Sequence, residues 1–137
     1  REVAAGFSTG APILTLIKKI TDLETLFNVN TPKVICDSEG HALYFSRQTI
    51  PYLRGVEPSD WLNKHTYYKH IGLYAYRADI LPGLSALKPT SLELAESLEQ
   101  LRWVQNGIRI KAIETQFETV GIDSPEDLEK IQKMGLI

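Results

Sequence analysis

The segment KHIGLYAYR, residues 69–77, places a histidine, a glycine and two phenols at alternate positions. Alternate side chains of an extended strand share a face. His70, Gly72, Tyr74 and Tyr76 therefore lie on one side, and Ile71, Leu73 and Ala75 on the other. The second set reads as plain core. The first combines a titratable ring and a phenol with a residue that has no side chain between them. That leaves room for a ligand beside two hydrogen-bonding groups. The pattern also fits a half-buried face whose polar tips are satisfied within the protein, and the residues alone leave both readings open.

A second set falls in the helix expected from Thr90 to Asn106. Thr90 and Glu93 fit a capping box, Leu94, Leu98 and Leu101 form an apolar stripe, and Gly107 supplies the stop. At about 100° per residue, Glu93, Glu96, Glu99 and Gln100 lie on the opposite side, together with Leu92 and Trp103. A tryptophan on a charged face calls for a cover, such as a ligand, a loop or a second subunit; the plain alternative is a solvated face with one stray apolar residue.

Arg47 and Arg54 lie in the segment FSRQTIPYLR. Their guanidinium forks suit a carboxylate or phosphate, and equally suit bare solvent. Asp123, before Ser124-Pro125-Glu126, reads as a helix cap or as a magnesium ligand. The stretch GFSTGA, residues 6–11, lacks the Lys-Ser/Thr ending of a phosphate loop. His41 and His65 have no metal-ligand spacing, and Cys36 is the single cysteine, without a partner for a disulfide.

The elements that must carry these residues alternate. Apolar runs predict strands at 13–17, 33–37, 42–46, 69–77 and 108–113, and the run ILTLI reads as buried on both faces. Helices are expected at 22–27, 80–87 and 90–106, and from Ser124 to about Met134. Residues 51–66, with two prolines and a glycine, form a long excursion of functional or interfacial character. The order predicts an α/β domain with a mostly parallel sheet and flanking helices.

Composition narrows the function classes. Hydrophobic residues at 43% and charged residues at 23% describe a folded chain rather than a disordered one. A net charge of −2 lacks the basic excess of a nucleic-acid binder. No apolar run approaches the roughly 20 residues of a membrane span. With one cysteine and no signal peptide, a cytoplasmic setting is expected. The opening REVAAGF reads like the end of a helix, so the chain is expected to be a fragment.

In order, YFSRQTIPYLR, TYYKHIGLYAYR, SLELAESLEQLRWVQNG and GIDSPEDL resemble the second half of the CMP-KDO synthetases, over roughly residues 28–137. ILTLIKKI would be the strand before it. The resemblance implies a fold like that of the nucleotide-diphospho-sugar transferases, with residues 1–137 forming the C-terminal, sugar-binding and dimerisation portion. It implies transfer of CMP from CTP to KDO (3-deoxy-manno-octulosonate) for lipopolysaccharide assembly, with magnesium as cofactor and a homodimer as the working form. It places Arg47 and Arg54 on the sugar acid or a nearby phosphate, His70 and Tyr74 on KDO, and Glu99 and Gln100 on sugar hydroxyls. Asp123 becomes a magnesium ligand, and Trp61 a dimer contact.

The family's Pro-Ala-Arg, Ser-x-Arg-x-Pro-x-Lys and Gly-Asp-Glu-Pro phrases do not occur in these residues. The chain alone is therefore expected not to turn over CTP, and its sheet to be incomplete. Two other readings stand beside this one: a cytidylyltransferase for another acid sugar such as a sialic acid, and a non-catalytic sugar-acid binding module.

Overall fold

The computed structural model describes residues 10–116. The elements are β1 (Ile13–Lys19), α1 (Leu23–Phe27), β2 (Lys33–Cys36), β3 (Ala42–Ser46), a 3-10 turn (Pro58–Asp60) running into α2 (Trp61–Lys64), β4 (Tyr68–Tyr76), α3 (Leu81–Ser85), α4 (Ser91–Glu96), α5 (Leu101–Gln105) and β5 (Ile110–Glu114). Asp123 and the helix expected from Ser124 lie outside the described residues.

The α/β class is as expected, and the sheet is mixed, in the order β3-β2-β4-β1-β5. β1 and β5 pair in parallel, β5 being reached from β4 through α3–α5, whereas β4 runs antiparallel to both β1 and β2 and β3 is antiparallel to β2. Parallel pairing thus holds at one described ladder rather than through most of the sheet. The reason is local at β2–β3. The five residues of the Asp37–His41 turn suffice for a hairpin, whereas a parallel return needs a crossover of a dozen residues or more. Gly40 adopts φ +85° there, and a Cβ would meet the Lys111 ammonium at 3.1 Å, so the turn needs glycine.

β1 is buried on both faces through Ile17, which is why its sequence is a continuous apolar run. The main core joins Ile13, Ile17, Phe45, Leu101, Trp103 and Ile110. A smaller core of Ile20, Leu26, Trp61 and Tyr67 lies under the 51–66 excursion. Trp61 is only 4% exposed, and its indole N–H donates to the Val56 carbonyl at 2.9 Å. The expectation that it faces a second subunit is corrected: it is the anchor that folds its own loop. Around it Tyr52 and Phe27 are the exposed aromatics.

The helix expected at 90–106 is two helices. Ser97 sits at φ 54°, ψ 47°, the left-handed region, and ends α4. The break resets the wheel. Leu94, expected in the core, is 68% exposed, while Trp103 and Gln100, expected on the solvent face, are buried.

β4 is nine residues long, but β2 pairs only with its Tyr68 and Lys69. Among the described residues, Ile71–Tyr76 has ladder partners from β1 alone. The β1–β4 register shifts between Thr15 and Leu16, which face Tyr74 and Ile71. Gly72 and Leu73 are therefore extra residues, bulged out of the ladder. Leu73, expected in the core with Ile71 and Ala75, is 49% exposed at this bulge.

Candidate functional site

An insertion of two residues preserves the side-chain alternation. His70, Tyr74 and Tyr76 accordingly share one face, as their spacing requires, and that face meets α5. Tyr74 and Tyr76 stand edge-on to Trp103 with ring centroids 5.0 Å and 5.7 Å away, and His70 packs against Phe45 at 4.8 Å and Tyr74 at 5.4 Å. The cover for Trp103 is thus the chain's own strand.

Gln100, at the junction before α5, turns inward. Its side-chain nitrogen lies 3.3 Å from His70 Nδ1, and His70 Nε2 lies 2.8 Å from Thr15 Oγ1. Burial holds the His70 pKa down to about 4, so the ring is neutral at physiological pH. Burial, then Tyr76 and Glu99, pushes the Tyr74 phenol well above its ordinary value. Tyr74 therefore keeps its proton and is a permanent donor. Burial and then Glu99 raise Tyr76 as well.

Glu99 is exposed, beside Tyr76, Arg102 and Trp103, at a cavity of about 370 Å³. His70, Tyr74, Glu99 and Gln100 thus form one neighbourhood. A larger cleft, about 610 Å³, opens between the β2–β3 hairpin and residues 66–68 and includes none of these four.

Arg47 is committed. Its Nε donates to the Glu96 carbonyl at 2.7 Å, Nη2 to Ser97 at 3.1 Å and Nη1 to Val29 at 3.3 Å, and its backbone N–H reaches Glu96 Oε1 at 3.1 Å. It closes the carbonyl end of α4, where the helix breaks. A guanidinium has five N–H donors, so one hydrogen remains on each terminal nitrogen. Arg54 is exposed on the 51–66 excursion, and no contact joins it to the neighbourhood of His70.

Three residues that hold the site were not singled out by sequence. Thr15 is completely buried; a hydroxyl inside the run ILTLI was the available signal. Lys33 is completely buried too, donating to the Asn28 carbonyl at 2.6 Å and the Arg47 carbonyl at 2.9 Å. Desolvation, and then the Arg47 charge, lowers its pKa. Arg102 grips Glu93 through two nitrogens at 2.8 Å and 2.6 Å, while Glu93 caps the Thr90 N–H at 3.2 Å. One carboxylate thereby ties the start of α4 to α5.

Among the described residues no group of three or more His, Cys, Asp or Glu side chains could hold a metal ion. They present no donor set for magnesium. Nor, among them, is any helix long and apolar enough to cross a membrane.

Comparison with known proteins fits this geometry. The 3-deoxy-manno-octulosonate cytidylyltransferase of Cytophaga hutchinsonii is 58% identical over 132 residues, covering 96% of this chain and 53% of that protein. The protein of the same name from Phocaeicola vulgatus is 57% identical over 123 residues, covering 88% and 49%. A solved CMP:2-keto-3-deoxy-manno-octonic acid synthetase complexed with CTP matches with a TM-score of 0.84 and 37% identity, covering 98% of this chain and 54% of that one. The chain spans about half the length of the relatives it matches. With the cytidylyltransferase family model matching residues 9–113 over this α/β sheet, the chain belongs to the cytidylyltransferase family.

Proposed function

We propose that this chain is the C-terminal, sugar-binding and dimerisation portion of a cytoplasmic enzyme that forms CMP-KDO and pyrophosphate from CTP and KDO for lipopolysaccharide synthesis. The observation that carries the reading is the likeness to the synthetase that holds CTP, at 37% identity across 98% of the chain. In the reaction the anomeric hydroxyl of KDO attacks the α-phosphorus of CTP, and the bond to pyrophosphate breaks. Positioning and charge stabilisation supply most of the catalysis in such phosphoryl chemistry. Magnesium, with Asp123 among its ligands, would neutralise phosphate charge when bound.

The described residues suit the sugar rather than the nucleotide. Tyr74 offers a donor and Glu99 an acceptor for sugar hydroxyls. His70, neutral and bonded on both nitrogens, orients Gln100 instead of pairing with an acid. The two unspent hydrogens of Arg47, and exposed Arg54, are the cationic groups proposed for the sugar carboxylate or a phosphate. In the proposed dimer, the exposed Tyr52 and Phe27 replace Trp61 as contacts.

The test is pyrophosphate release from CTP, with magnesium, by a full-length protein that carries this chain. Release with KDO and not with a sialic acid is expected, and none from the 137 residues alone. Release with a sialic acid instead would reassign the substrate. No release with either, from a folded full-length protein, would turn the reading to a non-catalytic sugar-acid binding module.

A further inference from the structure

Thr15 lies at the centre of β1 with no exposure to water. A buried hydroxyl requires partners, and Thr15 has three: His70 Nε2 at 2.8 Å and the carbonyl oxygens of Leu73 at 2.9 Å and Ile71 at 3.3 Å. It has a single hydrogen to give. Carbonyl oxygens only accept, so that hydrogen goes to the carbonyls, Leu73 being the nearer. The contact with His70 must then run the other way, with Nε2–H donating to Thr15 Oγ1. A neutral ring protonated on Nε2 leaves Nδ1 bare, and Nδ1 is the atom that faces the Gln100 side-chain nitrogen at 3.3 Å. Both ends fix one direction: Gln100 to His70, His70 to Thr15, Thr15 to Leu73.

We propose that Thr15 is the positioning residue of this site: its hydroxyl selects the Nε2–H form of His70, which turns the Gln100 amide nitrogen inward and leaves its carbonyl oxygen to accept from a ligand hydroxyl. The same hydroxyl ties the carbonyls of the β4 bulge, at the register step that brings Tyr74 opposite Thr15. One buried group therefore sets the ring, the amide and the phenol together. A carboxylate, which is acceptor-only, finds no donor on the remaining side-chain oxygen of Gln100, so this end of the site reads the hydroxyl side of an acid sugar. That the ligand is an acid sugar rests on the function proposed above; the direction of the bonds does not.

The test is nitrogen-15 NMR of the histidine side chains in the full chain. His70 is expected as a single form with protonated Nε2 and bare Nδ1 at neutral pH. Thr15→Ser keeps that signature, and Thr15→Val, which has the shape without the hydroxyl, mixes the two forms. In the full-length protein, Thr15→Val raises KM for KDO roughly tenfold, the scale of one lost hydrogen bond, while KM for CTP holds. Protonated Nδ1 in the unaltered chain overturns the proposal, as does an unchanged signature in Thr15→Val. If the valine variant fails to fold, the unaltered and serine spectra decide alone. The stated signature without KDO-dependent turnover would sink the substrate reading and leave the positioning network in place. The wrong signature with turnover intact sinks the positioning role only.

Discussion

Replacing His70 with glutamine should flatten the acid side of the stability profile. In the folded chain burial holds the His70 pKa near 4, against an ordinary 6.5. Between these values the unfolded chain takes up a proton that the folded chain refuses. The contribution is therefore complete above pH 6.5 and is lost progressively as the pH falls toward 4. The gap between 6.5 and about 4, at about 1.4 kcal/mol per pH unit, amounts to roughly 3.5 kcal/mol. That is a large share of the 5–15 kcal/mol typical of a domain. Glutamine carries no titratable proton, yet its amide can donate toward Thr15 and accept from Gln100. The assay is urea unfolding followed by tryptophan fluorescence across this pH range, for the unaltered chain and for His70→Gln. Trp61 and Trp103 report from the two separate cores. Every other group is common to the two proteins and cancels in the difference. The expected difference curve is flat above pH 6.5 and falls by up to about 1.4 kcal/mol per pH unit below it. Parallel curves down to pH 4 would mean that His70 takes its proton while folded, and the account of a neutral, doubly bonded ring would be wrong.

Trp61→Ala removes a ring that is stacked near Tyr67 and hydrogen-bonded to Val56; about 3–5 kcal/mol of stability should be lost, measured as a lower urea midpoint. Unchanged stability with weakened self-association in sedimentation would restore the interface role that its burial contradicts. Burial, followed by the Asp37 charge, pushes the Cys36 thiol up to about 11. Alkylation by iodoacetamide at pH 8 should therefore be slow in the native chain and fast in denaturant, and equal rates would show that the thiol is neither shielded nor shifted.

The strand positions along the chain and the chemistry-bearing face of β4 were legible because both depend on local period. The face survived even the unforeseen bulge, since two extra residues restore the alternation that one would have reversed. The pairing directions were less legible. They follow from which strands meet across the sheet, and only the hairpin turn before β3 announces its own answer. The break at Ser97 left no trace in composition, because serine is an ordinary helix residue. It is held by Arg47, 50 residues away, through the Ser97 carbonyl. The wheel drawn through Ser97 therefore put Leu94 inside and Gln100 outside, the reverse of their burial. Lys33 was unreadable for a related reason. Its burial depends on two carbonyls that only the folded chain brings together. Trp61 reads as a contact in a long loop, and what it touches is its own chain: Val56 within that loop, with Phe27 and Tyr67 beside it.

Among the described residues the half of β4 beyond Lys69 is laddered on one side alone, which bears on how those residues behave in a crowded solution. Main-chain amides and carbonyls that face outward along an edge recognise any extended polypeptide, whatever its side chains. No proline or charged residue falls within Ile71–Tyr76, and Gly72 and Leu73 stand exposed there. A guest strand would bind by hydrogen bonds that carry almost no sequence information. Selectivity would have to come from concentration or from tethering, which would favour a strand covalently attached nearby.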